Sequence, residues 1–184
     1  MNAGTIAARY ATALVKYVGD CGGGEELYTQ ACAIMKWMEE VPQLRDVLIK
    51  RKDISHNKRM SLLQTALGEK PEESLDNFIS LLERRGRMEF FDRMLWAFIK
   101  RYRKANNIRV GHLVTAFELA GLKENMESLL SARTGDDVRI DVRNDPDIIG
   151  GFVFDMDGMR VDASVKTRLS RLHKELIDMN KKII

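Results

Sequence analysis

The apolar positions of the first 105 residues recur at helical spacing. In the opening stretch, Ile6, Tyr10, Ala13 and Tyr17 follow one another at three- and four-residue steps, the period of one face of an α-helix. Five further stripes of the same kind follow, separated by short segments that contain glycine, proline or, before the fourth, the capping residue Ser55. Because short connections favour antiparallel neighbours, the pattern predicts a six-helix bundle over residues 1–105.

Beyond Asn107 the period changes. Val138, Ile140 and Val142 alternate with charged residues, which is typical of a half-buried strand. Apolar runs at 108–114, 148–154 and 159–161 predict three more strands, the last two joined by a tight turn at Asp157-Gly158.

Helical spacing returns twice in this second half. It appears from Leu119 to Ala132, and again after Ser164 with Val165, Leu169, Leu172 and Leu176 on one face. The predicted order over residues 106–184 is therefore β-α-β-β-β-α, a small sheet with helices packed on one side. The expected fold class is mainly α, an N-terminal six-helix bundle followed by a small α/β (α+β) domain.

Composition narrows the class of protein. The chain of 184 residues is 45% hydrophobic and 31% charged, ordinary values for a folded protein, and its net charge of +3 is too small to indicate nucleic-acid binding by itself. No apolar run approaches the roughly 20 residues that span a bilayer, and the N-terminus lacks the pattern of a signal peptide. We therefore expect a cytoplasmic protein without direct membrane insertion.

The sequence offers no recognisable catalytic, metal or cofactor site. The Gly22–Gly24 triplet is followed by Glu25-Glu26, where a phosphate-binding loop requires lysine and a hydroxyl residue. The aspartates between Asp155 and Asp162 lack the closing glutamate of a calcium loop, because Lys166 occupies that position. The two cysteines and three histidines match no metal-ligand spacing. An enzyme of unrecognised type remains an alternative, ranked behind the two binding functions discussed below. Support for it would require a catalytic turnover that a single polar substitution abolishes.

Basic clusters on the predicted helices four to six leave one alternative open. A helical nucleic-acid-binding module would use such charge together with exposed aromatic side chains, and its binding would weaken steeply with salt. A solvated face or a surface for acidic protein partners is the other interpretation. The clusters are Lys50-Arg51-Lys52, Lys58-Arg59, Arg84-Arg85 with Arg87, and Arg101, Arg103 and Lys104.

The first and fifth predicted helices carry more apolar surface than one bundle contact needs. In the first, a stripe through Ala7, Ala11 and Leu14 adjoins the stripe through Ile6 and Tyr10. In the fifth, Phe78 and Leu81 widen the arc of Leu75, Ile79 and Leu82. Two such helices can form a groove for an amphipathic helix of a partner, or can be wholly buried in the bundle. Periodicity alone leaves both interpretations open.

Three stretches resemble the delta subunit family of the bacterial F-type ATP synthase, which includes the mitochondrial oligomycin sensitivity-conferring protein. Ile6–Leu14, with its Arg-Tyr-Ala, is similar to the family's first helix, and Asn77–Arg87 is similar to the fifth helix and its Gly-Arg exit. Ile148–Phe152, with Gly150 and Gly151, followed by Asp162–Leu169, with Asp162 and Ser164, resembles the C-terminal signature. The matches cover essentially the whole chain in order.

The resemblance implies a stator subunit without catalysis or cofactor. It implies that the bundle binds the N-terminal helix of an alpha subunit between helices one and five, with Tyr10, Ala13 and Leu81 lining the groove. When α-helical positions are projected around the helix axis, Ile6 and Phe78 fall beside these residues, so we expect them to line the groove as well. The C-terminal domain is expected to bind the b subunits of the peripheral stalk. The chain would then be a monomer within a hetero-oligomer, held peripherally at the cytoplasmic face of the bacterial inner membrane.

Overall fold

The computed structural model describes residues 3–51, 54–117 and 121–183. The chain divides into two compact units, Met1–Ala105 and Asn106–Ile184. The first is helical, and the second contains a mixed sheet with helices, so the predicted fold class is confirmed.

The described part of the first unit contains six α-helices joined by short connections. A 3-10 turn at Met88–Phe90 leads into the last of them. Gly68 ends the fourth helix in the left-handed conformation (φ 73°), with its N–H bonded to the carbonyl of Gln64 at 2.9 Å. The helices are α1 (Ala3–Cys21), α2 (Gly24–Glu40), α3 (Pro42–Lys50), α4 (His56–Leu67), α5 (Glu73–Arg84) and α6 (Phe91–Ala105).

The core of this unit is centred on α6, which packs along α1. Phe91 and Phe98 of α6 are fully buried. On α1 the buried stripe is Ala7, Ala11, Leu14 and Val18, and its two alanines let the helix axes approach closely. One of the two apolar stripes predicted on α1 therefore faces the core. The other stripe, which includes Tyr10 and Tyr17, is not part of this buried set.

The second unit has the predicted order β-α-β-β-β-α. Its strands form one sheet in the order β2-β1-β3-β4, in which β1 and β2 are parallel and the other pairs antiparallel. Of the predicted seventh helix, Leu119 lies outside the described residues. The elements are β1 (Ile108–Thr115), α7 (Leu122–Thr134), β2 (Asp137–Asn144), β3 (Phe152–Met156), β4 (Met159–Asp162) and α8 (Val165–Ile183).

Helix α7 covers the apolar face of the sheet. Its Leu122, Met126 and Leu130 pack against a cluster made by β1, β2 and β3. That cluster contains Leu113, Val138, Ile140, Phe154 and Met156. The alternating pattern of β2 predicted its inward residues, except that Val142 is exposed near the end of the strand.

The third strand begins later than the sequence predicts. Residues Pro146–Ile148 form a 3-10 turn, and both Ile149 and Gly151 have positive φ, which extended backbone does not allow. The strand therefore starts at Phe152, and the expectation that Gly150 and Gly151 lie within it is wrong. The two glycines form the approach to the strand.

Candidate functional site

An apolar groove of about 350 Å³ lies between α1 and α5. Both helices contribute side chains from facing turns. Its lining residues are Tyr10, Ala13, Leu14 and Tyr17 of α1, and Ser74, Asn77, Phe78 and Leu81 of α5.

The groove has a buried floor and an exposed rim. Leu14 and Phe78 are each 5% exposed, whereas Tyr17 and Leu81 are 44% and 43% exposed. Ala13 is exposed as well, and its small side chain leaves the groove open. Helix α1 is therefore not wholly buried, because the stripe that does not face the core lines this groove.

Tyr10 is held in place by neighbours on two sides. Its ring meets Phe78 edge-on with centroids 6.4 Å apart. Arg87 donates from Nη1 to the Tyr10 hydroxyl at 3.0 Å, and its guanidinium lies 5.5 Å from the ring centroid. Phe78 in turn contacts Phe91 of α6, with centroids 6.5 Å apart. The wall of the groove is thus anchored to the core before any partner arrives.

Four of the five residues expected in the groove line it, namely Tyr10, Ala13, Phe78 and Leu81. Ile6 does not, because it lies one turn before Tyr10, beyond the stretch of α1 that faces the groove, and is half-buried. Among the lining residues not named in advance, Tyr17 belongs to the predicted stripe and could have been found from it. Ser74 and Asn77 are polar, so an apolar pattern carries no signal for them.

A second depression, of about 450 Å³, lies between α1, α2 and α6. Trp96 borders it and is 58% exposed, with the Lys100 ammonium 5.2 Å from the centre of its ring. The only sequence signal for this feature is a tryptophan that falls outside the buried stripe of α6. The lining residues are Gly4, Ala7, Ala8, Met35, Asp92, Arg93, Trp96, Ala97 and Arg101.

The glycines of the C-terminal signature lie where the start of α8 passes the entrance to β3. The Val165 N–H donates to the carbonyl of Gly150 at 2.9 Å, and the Ala163 N–H donates to that of Phe152 at 2.9 Å. A Cβ added at Gly151 would overlap the carbonyl oxygen of Ala163. The signature glycine therefore permits a close approach of two backbone segments.

Asp162 and Ser164 cap the N-terminus of α8. The Ser164 hydroxyl accepts from the Thr167 N–H at 3.2 Å, and the Asp162 carboxylate accepts from the Ser164 N–H and the Thr167 hydroxyl, both at 2.9 Å. Hydrogen bonding to Ser164, and then to Thr167, lowers the pKa of Asp162 from its ordinary value. All four signature residues thus fix the direction in which α8 leaves the sheet.

Helix α8 carries its apolar residues on an exposed face. We expected this helix to pack on the sheet beside α7, but Val165, Leu169, Leu172 and Leu176 are all exposed. They recur at three- and four-residue steps and so form one continuous stripe. The described part of the chain leaves this stripe open to solvent.

Other kinds of site find little support in the described part of the chain. Within it, no group of three or more His, Cys, Asp or Glu side chains is placed to hold a metal ion. None of the described helices is long and apolar enough to cross a membrane. Among the basic clusters, Arg59 is buried against Glu83, Arg103 donates to the Tyr28 hydroxyl at 2.9 Å, and Lys52 lies outside the described residues.

Comparison with known proteins gives a consistent result. The sequence model of the ATP synthase delta (OSCP) subunit family matches residues 6–176. The ATP synthase subunit delta of Phocaeicola vulgatus is 30% identical over 185 residues, and that of Bacteroides thetaiotaomicron is 31% identical over 187 residues; each match covers 100% of both chains. A chain of the Toxoplasma gondii mitochondrial ATP synthase hexamer, solved by cryo-EM, has a similar fold, with a TM-score of 0.56 at 22% identity over 93% of this chain and 97% of that one.

Proposed function

The chain belongs to the ATP synthase delta (OSCP) subunit family, and we propose that it is the stator subunit linking the catalytic headpiece of a proton-translocating ATP synthase to the peripheral stalk. The subunit does no chemistry of its own. It transmits mechanical load, keeping the alpha–beta ring from turning with the rotor so that torque reaches nucleotide sites on other chains.

The main support for a contact with the headpiece is the apolar groove between α1 and α5. An amphipathic helix presents apolar side chains at three- and four-residue steps, which suits a groove with a buried floor and an apolar rim. Because Tyr10 is already held by Phe78 and Arg87, little ordering of the wall opposes binding. We assign the groove to the N-terminal helix of an alpha subunit, with Tyr10, Ala13, Phe78 and Leu81 in contact.

The exposed stripe of α8 supports the contact with the stalk. A helix whose apolar residues face outward over about three turns is suited to packing along another helix. We assign this stripe to the C-terminal ends of the b subunits. In this arrangement the chain is a monomer within a hetero-oligomer, attached to the cytoplasmic face of a bacterial inner membrane only through the complex.

The headpiece contact is tested by titrating the full chain with a peptide of the alpha subunit's N-terminus at low and high salt. We expect affinity to change little with salt, because the groove is lined mainly by apolar side chains. No binding at either salt concentration would contradict the assignment of the groove. Titration with duplex DNA under the same conditions tests the nucleic-acid alternative, which predicts steep loss of affinity with salt. The family match does not support that alternative.

The stalk contact is tested by Leu172→Asp. A carboxylate in the middle of the α8 stripe is expected to weaken binding of a C-terminal b-subunit segment about tenfold, since the charge would be partly desolvated at the contact. Ser170→Asp adds the same charge to the same helix, roughly 160° from Leu172 around the helix axis. Calorimetric titration with the b-subunit segment should show weaker binding for Leu172→Asp than for Ser170→Asp. Equal losses of affinity in the two variants would contradict the assignment of the stripe.

A further inference from the structure

The groove between α1 and α5 has two distinct ends, because the two helices run antiparallel along it. At one end, Tyr10 of α1 contacts Arg87, which follows α5 in the chain. At the other end, Gly23, which follows α1, lies beside Glu72, the residue that caps the start of α5. A Cβ added at Gly23 would be 3.1 Å from Oε1 of Glu72. We call these the Arg87 end and the Glu72 end of the groove.

Along α5 the groove changes from polar to apolar within one turn. The floor of the groove is formed by Ser74 and Phe78, which are both buried. Its rim is formed by Asn77 and Leu81, which are both exposed. In each pair the residues are four positions, about 6 Å, apart on the same side of the helix, and the polar one lies nearer the Glu72 end.

The two tyrosines of α1 show the same difference between the ends. The Tyr10 hydroxyl, at the Arg87 end, already accepts a hydrogen bond from that guanidinium at 3.0 Å. Tyr17 lies about 10 Å further along α1, towards the Glu72 end. Within the described part of the chain, its hydroxyl has no hydrogen-bond partner, and neither have the side chains of Ser74 and Asn77.

These polar groups determine what kind of helix the groove accepts. A bound helix displaces water from the groove, and a donor or acceptor left there without a partner weakens binding by about tenfold. None of the described residues that line the groove is charged, so a charged side chain of the partner would find no counter-ion. A carboxamide or hydroxyl side chain can form the missing hydrogen bonds without that cost.

We propose that the Glu72 end of the groove is a hydrogen-bonding site that fixes the direction and register of the bound helix. The helix places a carboxamide or hydroxyl side chain against Asn77, and apolar side chains against Phe78 and Leu81. A helix lying in the opposite direction would bring its polar side chain to Leu81 and leave Asn77 unpaired. The inference rests on the proposed function, because it requires that a partner helix occupies the groove.

The test replaces Asn77 with leucine, which has a similar branched shape but no hydrogen-bonding group. Titration of the full chain with the peptide of the alpha subunit's N-terminus is expected to show about tenfold weaker binding for Asn77→Leu. If the bound helix only covered Asn77, leucine would add apolar contact area, and binding would be as tight or tighter. Affinity that is unchanged or increased would therefore overturn the inference.

Asn125→Leu is the matched control. Asn125 is also exposed on a helix, but it lies on α7 of the second unit. The same substitution there should leave the affinity for the peptide unchanged, and circular dichroism should give the same helical content for both variants.

A second measurement identifies the partner side chain. Each asparagine, glutamine, serine and threonine of the peptide is changed singly to alanine and combined with Asn77→Leu in a double-mutant cycle. We expect one of them to be coupled to Asn77 about fivefold or more, and coupling at none would overturn the inference. A peptide that does not bind the unmodified chain would overturn the assignment of the groove as well, whereas binding that is independent of Asn77 overturns this inference alone.

Discussion

Replacing Leu81 with aspartate is expected to weaken binding of the alpha-subunit helix about a hundredfold or more while leaving the chain folded. Leu81 is 43% exposed on the rim of the groove, so the free protein can solvate the new carboxylate. A bound helix would cover that charge without offering it a partner, at a cost of about 3 kcal/mol or more. Titration with the alpha-subunit peptide measures the change directly.

Leu129→Asp is the matched control for this prediction. Leu129 is 63% exposed on α7 of the second unit, and the same substitution there should leave the peptide affinity unchanged. Circular dichroism should give the same helical content for both variants. If Leu81→Asp binds as tightly as the control, the groove is not the binding site, although the fold is unaffected.

Gly151→Ala is expected to destabilise the second unit by about 3 kcal/mol or more. The residue has φ +75°, which alone costs an L-residue about 1 kcal/mol. The added methyl group would also overlap the Ala163 carbonyl oxygen and lie 3.3 Å from the Cα of Ser164, so the start of α8 must move away from β3. Urea unfolding monitored by circular dichroism would measure the decrease in the free energy of unfolding.

Gly135→Ala separates these two contributions. Gly135 ends α7 with φ +76°, but a Cβ there meets no atom within 4 Å. This variant should therefore lose only the roughly 1 kcal/mol that the backbone conformation costs. Equal losses at Gly135 and Gly151 would mean that the close approach of β3 and α8 contributes nothing measurable.

The periodic elements of the fold could be predicted from the sequence because each depends on local spacing. The six helices and the β-α-β-β-β-α order follow from stripes such as Ala7, Ala11 and Leu14 and from the alternation of Val138 and Ile140. The late start of β3 could not be predicted in this way. It depends on the positive φ of Ile149, which no apolar pattern indicates.

The candidate site was predictable only in part, because periodicity identifies an apolar stripe without identifying what covers it. On α1 the stripe of Ala7 faces α6, whereas Tyr10 and Tyr17 line the groove, and the sequence left this choice open. On α8 the stripe of Leu172 predicted packing on the sheet, but it is exposed. The contact of Tyr10 with Arg87 joins distant parts of the chain, so no local pattern contains it.

The division into two units has a spectroscopic consequence. Both tryptophans, Trp37 and Trp96, and all four tyrosines lie before Ala105, so the second unit contains phenylalanine as its sole aromatic residue type. The absorbance and fluorescence of tyrosine and tryptophan therefore monitor the first unit alone, whereas far-ultraviolet dichroism monitors both. An unfolding transition seen in dichroism without a change in fluorescence belongs to the second unit. The unlabelled protein thus carries an optical probe that tells the two units apart.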